Sequence, residues 1–253
     1  TPLYSSAASD VYKRQELYFN FYDASHSIEG NPDLEAELSN SVNGGLSWKV
    51  MSTAKSRVDM TLNSFFNAVD DMISYGQKPS NSLITTYINI DKFKTKGLMW
   101  NTTYTGKALE VKVGVSYTGR YNQLKEDDSE LPEFTWTPEA NLVTTYQLEP
   151  AVMTFNLFYK YTGSLPNYEV GTDDAGSETI RLAKIDGYHM MDFTARKQLF
   201  GYLNATLGVR NLLNVTNVNN TSTDTGGTHS TGGARPIGYG RSYFLGLNFN
   251  LNK

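Results

Sequence analysis

The chain has 253 residues, enough for one large domain or two small ones. Its net charge of -4 and pI near 5.4 argue against a nucleic-acid partner. The absence of cysteine excludes disulfides and thiolate metal sites. No stretch approaches the ~18 to 20 consecutive apolar residues that a membrane-spanning helix requires. A mean hydropathy of -0.43 has the value of a water-soluble domain. A transmembrane β-barrel gives the same average, because its strands alternate lipid-facing with interior-facing residues. The 17 Tyr and 12 Phe bring aromatics to 13% and point the same way, since aromatic girdles mark barrel rims.

In chain order, "TPLYSSAASDVYKRQ" (1–15) has no period, cap or turn logic and resembles translated sequencing-adaptor read-through. It is read as a non-native or disordered leader, with the true amino terminus expected upstream. Period-two alternation then predicts ten strands: 16–23, 38–51, 57–70, 83–105, 108–121, 137–148, 151–162, 187–198, 202–212 and 239–251. In "SRVDMTLNSFF", Val58, Met60, Leu62 and Phe66 oppose Arg57, Asp59, Thr61 and Asn63. In "ALEVKVGVSYTG", Leu109, Val111, Val113, Val115 and Tyr117 oppose Glu110, Lys112, Gly114 and Ser116. The runs at 151–162, 202–212 and 239–251 repeat the pattern. Such strands exceed the ~5 to 6 residues usual in globular sheets and match the ~9 to 11 of a tilted membrane strand. Only "NPDLEAELSNS" suggests a helical turn.

The connections alternate in length. Those at 52–56, 105–107, 148–150 and 198–201 are short. Those at 24–37, 71–82, 122–136, 163–187 and 214–238 are long and polar, as in "NVNNTSTDTGGTHSTGGARP". Outer-membrane barrels show this asymmetry, with short periplasmic turns and long outer loops. The expected fold is an all-β antiparallel transmembrane barrel, closed because hydrocarbon leaves no partner for an unpaired backbone group.

Several elements carry a family resemblance. "EGNPDLEAELSNSVNGGLSWKV" (29–50) resembles the asparagine-proline-x-leucine-x-x-glutamate element of TonB-dependent outer-membrane receptors. Here Ala36 stands where proline is common, and Leu38 where a basic residue often follows. "NSFFNAVDDMIS" (63–74) and "YINIDKFKTKGLMWNTTY" (87–104) resemble the next two strands of that family. "VRNLLNVTNVN" (209–219) resembles its penultimate-strand element, with Leu213 in place of the usual aromatic. "GRSYFLGLNFNL" (240–251) resembles its terminal strand, although the chain continues past Phe249 to Lys253 rather than ending on an aromatic.

The resemblance implies that residues 16–253 are the carboxy-terminal ten or so strands of a 22-stranded barrel, with the plug domain and TonB-contacting segment absent. It implies a receptor in the Gram-negative outer membrane for active uptake of a scarce nutrient: an iron chelate, haem, cobalamin or glycan. The implied partners are the lipid bilayer, the receptor's own plug, TonB through the absent part, and the small-molecule nutrient. No catalytic residue, metal or cofactor is expected. Ligand contact is expected at the outer loops, through Phe134, Trp136, Tyr168 and His229; the aromatics serve equally well as interfacial anchors. Among His26, His189 and His229, a loop imidazole such as His229 could ligate haem iron, and the plain alternative is a solvated histidine. The acid pairs Asp70-Asp71, Asp127-Asp128 and Asp173-Asp174 allow a different reading, a self-contained ten-stranded barrel enzyme of the protease kind. A third reading is a soluble β-sandwich adhesin whose core holds the same apolar stripes. Arg57, Asp59, Glu110, Lys112, Asp192 and Arg210 are expected on the interior wall, facing the plug or only hydrating it.

Overall fold

The structure is a computed structural model and describes residues 16–23, 27–78, 80–126, 128–172, 178–222 and 232–249. The leader 1–15 lies outside the described residues. The chain forms two compact units, one of residues 1–42 and 67–94 and the other of 43–66 and 95–253.

Among the described residues, an eleven-stranded sheet contains β1 (Phe21–Tyr22), β2 (Ser27–Glu29), β3 (Leu38–Ser52), β4 (Ser56–Lys78), β5 (Asn81–Gly106), β6 (Leu109–Tyr121), β7 (Phe134–Leu148), β8 (Met153–Thr162), β11 (Tyr188–Phe200), β12 (Leu203–Arg210) and β15 (Ser242–Phe249). The remaining strands, β9 (Leu165–Thr172), β10 (Glu178–Ile185), β13 (Asn217–Asn220) and β14 (Gly233–Pro236), form a separate sheet in the order β14-β13-β10-β9. In the large sheet β3, β4, β5, β6, β7, β8, β11, β12 and β15 pair in succession, and no described pairing joins β15 back to β3. The sheet is open.

Nine of the expected strands are present, several of them longer than their two-faced stretch. The tenth, 16–23, is not a wall strand. Its residues form a helical turn and the two-residue β1, which pairs with β2. β2 in turn joins β5 in parallel, Ile28 opposite Thr85. The expected loop 71–82 is also mostly strand, because β4 runs 23 residues and β5 runs 26.

In the larger unit the register places one apolar face across seven strands. Trp100 lies opposite Val115, and Val115 opposite Ala140. Leu157 lies opposite both Thr144 and Phe193, and Phe193 opposite Val209. Leu207 lies opposite Leu245. Tyr146 and Phe155 stack at 6.5 Å, and Phe155 and Phe193 at 6.3 Å, on the same face. The opposite face is polar. Thr145 Oγ1 donates to Asn156 Oδ1 at 2.9 Å, and Asn156 Nδ2 donates to Thr194 Oγ1 at 3.2 Å, which ties β7, β8 and β11 together from that side. Glu110, Lys112, Asp192 and Arg210 occupy this face, with Lys112 Nζ 2.6 Å from Glu110 Oε1. The Arg57–Asp59 pair sits at the start of β4.

The short connections are stitched locally. Thr53 Oγ1 accepts the N–H groups of Lys55 at 3.2 Å and Ser56 at 3.0 Å. Residues Glu149–Ala151 form a 3-10 turn closed by Val152 at φ 50°.

In the smaller unit, "NPDLEAE" is a strap on the distal ends of β4 and β5 rather than a helix. Asn31 Oδ1 accepts the N–H of Asp33 at 3.0 Å, an Asx turn, and Asn31 Nδ2 donates to the Tyr87 carbonyl at 2.8 Å. Asn89 bonds Glu35 through both its amide groups, at 2.8 and 3.1 Å, and also donates to the Asp71 carbonyl at 2.7 Å. Glu37 Oε1 accepts the Ile73 N–H at 2.7 Å. The motif's polar residues thus fasten its extended backbone.

Candidate functional site at the loop end

The second sheet is built from two of the expected loops, 163–187 and 214–238. β9 and β10 form a hairpin in which Leu165 faces Ile185 and Thr172 faces Glu178. β13 and β14 form another, Asn217 facing Pro236. The hairpins meet where Ile185 pairs with Asn220. Beyond that pair, Asp186 N–H donates to the Asn219 carbonyl at 2.8 Å, Thr221 N–H to the Lys184 carbonyl at 2.9 Å, and Lys184 N–H to Thr221 Oγ1 at 2.8 Å. Arg181 Nη2 reaches Glu169 Oε1 at 2.6 Å and the Thr221 carbonyl at 2.9 Å. These contacts join two connections that are far apart in sequence into one platform. Ala183, 1% exposed, and Val218, 6% exposed, are buried within it.

A cavity of about 560 Å³ opens on this platform, lined among others by Asn167, Lys184, Asn220, Ser222 and Arg235. Its polar lining offers amides, a hydroxyl and two cations. Lys184 is shared with Asp186 at 3.2 Å, whereas Arg235 is exposed and makes no ion pair among the described residues. An Arg fork and amide groups favour an oxygen-rich anionic solute.

The platform is tied to the wall by the "RNLLN" turn after β12. Asn211 has φ 50° and is 4% exposed. Its N–H donates to Asp192 Oδ1 at 2.8 Å, and its amide donates to the carbonyls of Val215 and Tyr239, both at 2.8 Å. Asn214, at φ 57°, accepts the Arg241 N–H at 2.9 Å.

Of the residues expected to bind ligand, Phe134 and Trp136 lie together, their ring centroids 6.2 Å apart, and Tyr168 lies on the second sheet. Phe134 and Trp136 belong to a cluster at the loop end of β5–β7, on the apolar face. Trp136 stacks on Tyr117 at 4.6 Å, and Phe134 meets Tyr121 edge-on at 6.1 Å. Lys96 Nζ lies 3.7 Å above the Phe134 ring. Tyr168 sits on β9 opposite Leu182, alternating with the cavity residue Asn167. His229 and His26 lie outside the described residues, as do Asp127, Asp173 and Asp174. His189 is on the apolar face, its Nδ1 2.7 Å from Tyr159 Oη and its ring 4.7 Å from that of Tyr161. Asp128 Oδ1 accepts the Glu130 N–H at 2.9 Å within its loop. Among the described residues no cluster of His, Asp and Glu could hold a metal ion.

The cavity residues Asn167, Lys184, Asn220 and Arg235 were not legible as a site. "LPNYEVGT" and "ETIRLAKI" lie within the expected loop 163–187, and nothing in the sequence says that β10 meets β13.

The family described as TonB dependent receptor-like, beta-barrel matches residues 3–212. No curated protein matches the sequence. Among solved structures, the chain is similar to the ferric enterobactin receptor PfeA of Pseudomonas aeruginosa, with 18% identity, a TM-score of 0.61, and coverage of 89% of this chain and 34% of that one. It is similar to the FrpB iron transporter of Neisseria meningitidis, with 19% identity, a TM-score of 0.57, and coverage of 88% and 33%. It is also similar to the copper transporter OprC, with 16% identity, a TM-score of 0.56, and coverage of 87% and 32%. The chain therefore spans about a third of the length of these structures.

Proposed function

Because this chain belongs to the TonB-dependent receptor β-barrel family and so forms part of a receptor in the Gram-negative outer membrane, we propose that its loop platform is the surface on which the complete receptor captures a metal chelate from outside the cell. The family comprises transporters rather than enzymes. The observation that carries the reading is the union of the two longest connections into one sheet with a polar, cation-bearing cavity. Loops kept only for solubility need no such cross-connection.

On this reading the apolar face of β5–β15 contacts hydrocarbon. From Tyr146 to Trp136, ten residue-to-residue steps of β7 span about 34 Å along the strand. A tilt near 45° reduces that to about 24 Å, close to the ~25 Å apolar band of outer-membrane barrels. The polar face then surrounds a plug carried elsewhere in the receptor, through which TonB would supply the energy for uptake. Trp136 serves as an interfacial anchor beside the buried Phe134, while ligand contact passes to Arg235, Lys184, Asn167 and Asn220. Among iron chelates, haem, cobalamin and glycans, the cationic lining favours an anionic iron chelate. The names of PfeA and FrpB support that choice.

The test is equilibrium binding of ferric catecholate and hydroxamate chelates to the complete receptor, wild type and Arg235→Glu. Saturable binding of one chelate, weakened by Arg235→Glu, is expected. Binding of a neutral oligosaccharide, with no ferric chelate bound, would overturn the assignment.

A further inference from the structure

Tyr75 on β4 and Tyr87 on β5 meet in the smaller unit, apart from the loop platform. Their ring centroids are 4.8 Å apart at an interplanar angle of 36°, and their hydroxyls share a hydrogen bond at 3.2 Å. Both rings stand on backbone that is fastened nearby. In β4, Glu37 Oε1 accepts the Ile73 N–H at 2.7 Å, and Glu29 accepts the Lys78 ammonium. In β5, the Tyr87 carbonyl accepts Asn31 Nδ2 at 2.8 Å, and Asn89 donates to the carbonyls of Glu35 and Asp71. Gly76 cedes its side-chain space to Ile88, since a Cβ there would stand 2.5 Å from Ile88 Cδ1. The two strands therefore approach closely beside the phenols. Tyr75 is 60% exposed, so a dissolved reagent reaches the pair. Tyr117, Tyr146 and Tyr161 instead lie against Trp136, Phe155 and His189, rings that are not phenols.

Two phenols held in contact are the reactants of oxidative coupling. Fixing both on paired strands turns the meeting of two radicals into a step within one molecule. We propose that Tyr75 and Tyr87 are an oxidative cross-linking site, joined into dityrosine by hydrogen peroxide that an iron complex activates. The complex passes the two oxidising equivalents of one peroxide to the pair, one to each ring. Each phenol gives up one electron and one proton and becomes a neutral phenoxyl radical. The radicals join by a carbon–carbon bond between positions ortho to their oxygens. Each ring then loses its ortho hydrogen as a proton and regains one on oxygen, which restores both phenols. The protein loses two hydrogens in all, and the peroxide becomes two waters. Hydroxyls 3.2 Å apart bring the ortho edges together, so side-chain rotation closes the remaining gap. The new bond encloses the turn between β4 and β5 and limits how far the unfolded strands can separate. In a chain without cysteine it has the place of a disulfide. The inference is independent of what the loop platform binds.

The experiment treats the complete receptor in detergent with hydrogen peroxide and catalytic ferric haem, at a dose that converts exposed methionines to sulfoxide. Mass spectrometry after proteolysis should find the segments carrying residues 75 and 87 joined, two hydrogens lighter than the separate segments, with the fluorescence of dityrosine. A protease site inserted after Ser80 gives a second reading. Once cut there, the oxidised receptor should keep its two chain pieces attached in denaturant, and the untreated receptor should release them. Tyr75→Phe and Tyr87→Phe keep the rings and so the packing. Each should abolish the joined segment and let the pieces separate. Wild type whose methionines are oxidised while residues 75 and 87 stay unjoined would overturn the proposal. So would pieces that remain attached in either phenylalanine variant, or joining between two receptor molecules in place of joining within one.

Discussion

Asp192 Oδ1 accepts the backbone N–H of Asn211 at 2.8 Å, so a carboxylate on the polar face of β11 holds the first residue beyond β12. Asn211 is in the left-handed region, where asparagine is tolerated better than most residues. Its side chain then closes the turn on Val215 and Tyr239, at the two ends of the connection that carries β13 and β14. The loop platform therefore starts from a fixed point on the wall.

Replacing Asn211 with alanine should destabilise the complete receptor by about 2 to 3 kcal/mol. Losing the two part-buried hydrogen bonds to the Val215 and Tyr239 carbonyls costs roughly 1 to 2 kcal/mol, and a left-handed alanine adds ~1 kcal/mol. Asn211→Gly should cost less, because glycine accepts the backbone angle. Denaturant unfolding in detergent measures both, and proteolysis between β12 and β15 should accelerate in the alanine variant.

Leu157 faces Thr144 and Phe193 in the middle of the apolar face, so Leu157→Arg should cost about 2 to 4 kcal/mol near the bilayer midplane. Ser116, on the polar face opposite Glu139, should accept arginine at much lower cost. Folding titrations into lipid vesicles compare the two, and equal costs would contradict the facing.

Gly208 is covered by an aromatic ring. A Cβ there would stand 2.2 Å from Phe244, and Arg210 lies 5.2 Å from the same ring. Gly208→Ala must displace Phe244 and is expected to cost about 1 to 3 kcal/mol, as overpacking does. The double variant Gly208→Ala/Phe244→Ala should lose less than the sum of the single changes in the same titration.

Glu29 accepts a hydrogen bond from the Lys78 ammonium and another from Tyr22 Oη at 2.8 Å. These bonds, that from Lys78 foremost, hold its carboxyl below the ordinary value of 4.5. A depressed carboxylate stabilises the fold fully above its unfolded pKa and loses that contribution as pH falls through the folded value. Hydrogen exchange of the Tyr22 and Glu29 amides should therefore be insensitive to pairing at neutral pH and rise below about pH 4.5, apart from the intrinsic pH dependence. Glu29→Gln should abolish the extra acid sensitivity.

The wall was legible because the bilayer demands two-faced strands. Leu109 to Tyr117 alternates without interruption and Met153 to Tyr161 with the one exception of Phe158, and both lie in strands near the expected bounds. The ends of β4 and β5 were not legible. Runs such as "DDMISYGQK" lack a clean apolar face, but backbone pairing continues without one once neither side of the ribbon faces hydrocarbon. The 16–23 segment failed for the opposite reason: aromatics at Tyr18, Phe19, Phe21 and Tyr22 mimic alternation over a stretch too short to pair as wall. The platform was hidden because β10 meets β13 through a single register pair, Ile185 with Asn220, and no local signal encodes contact between distant loops.

The most direct measurement is solvent mapping of single cysteines by spin labelling, helped by the absence of native cysteine in this chain. Labels at Leu157, Phe193 and Leu207 in the reconstituted complete receptor should relax with a lipid-dissolved reagent. Labels at Asn156, Thr194 and Thr206 should not. Equal lipid access on both sets, or access by a water-borne reagent at Leu157 and Leu207, would contradict a wall whose apolar face meets the membrane.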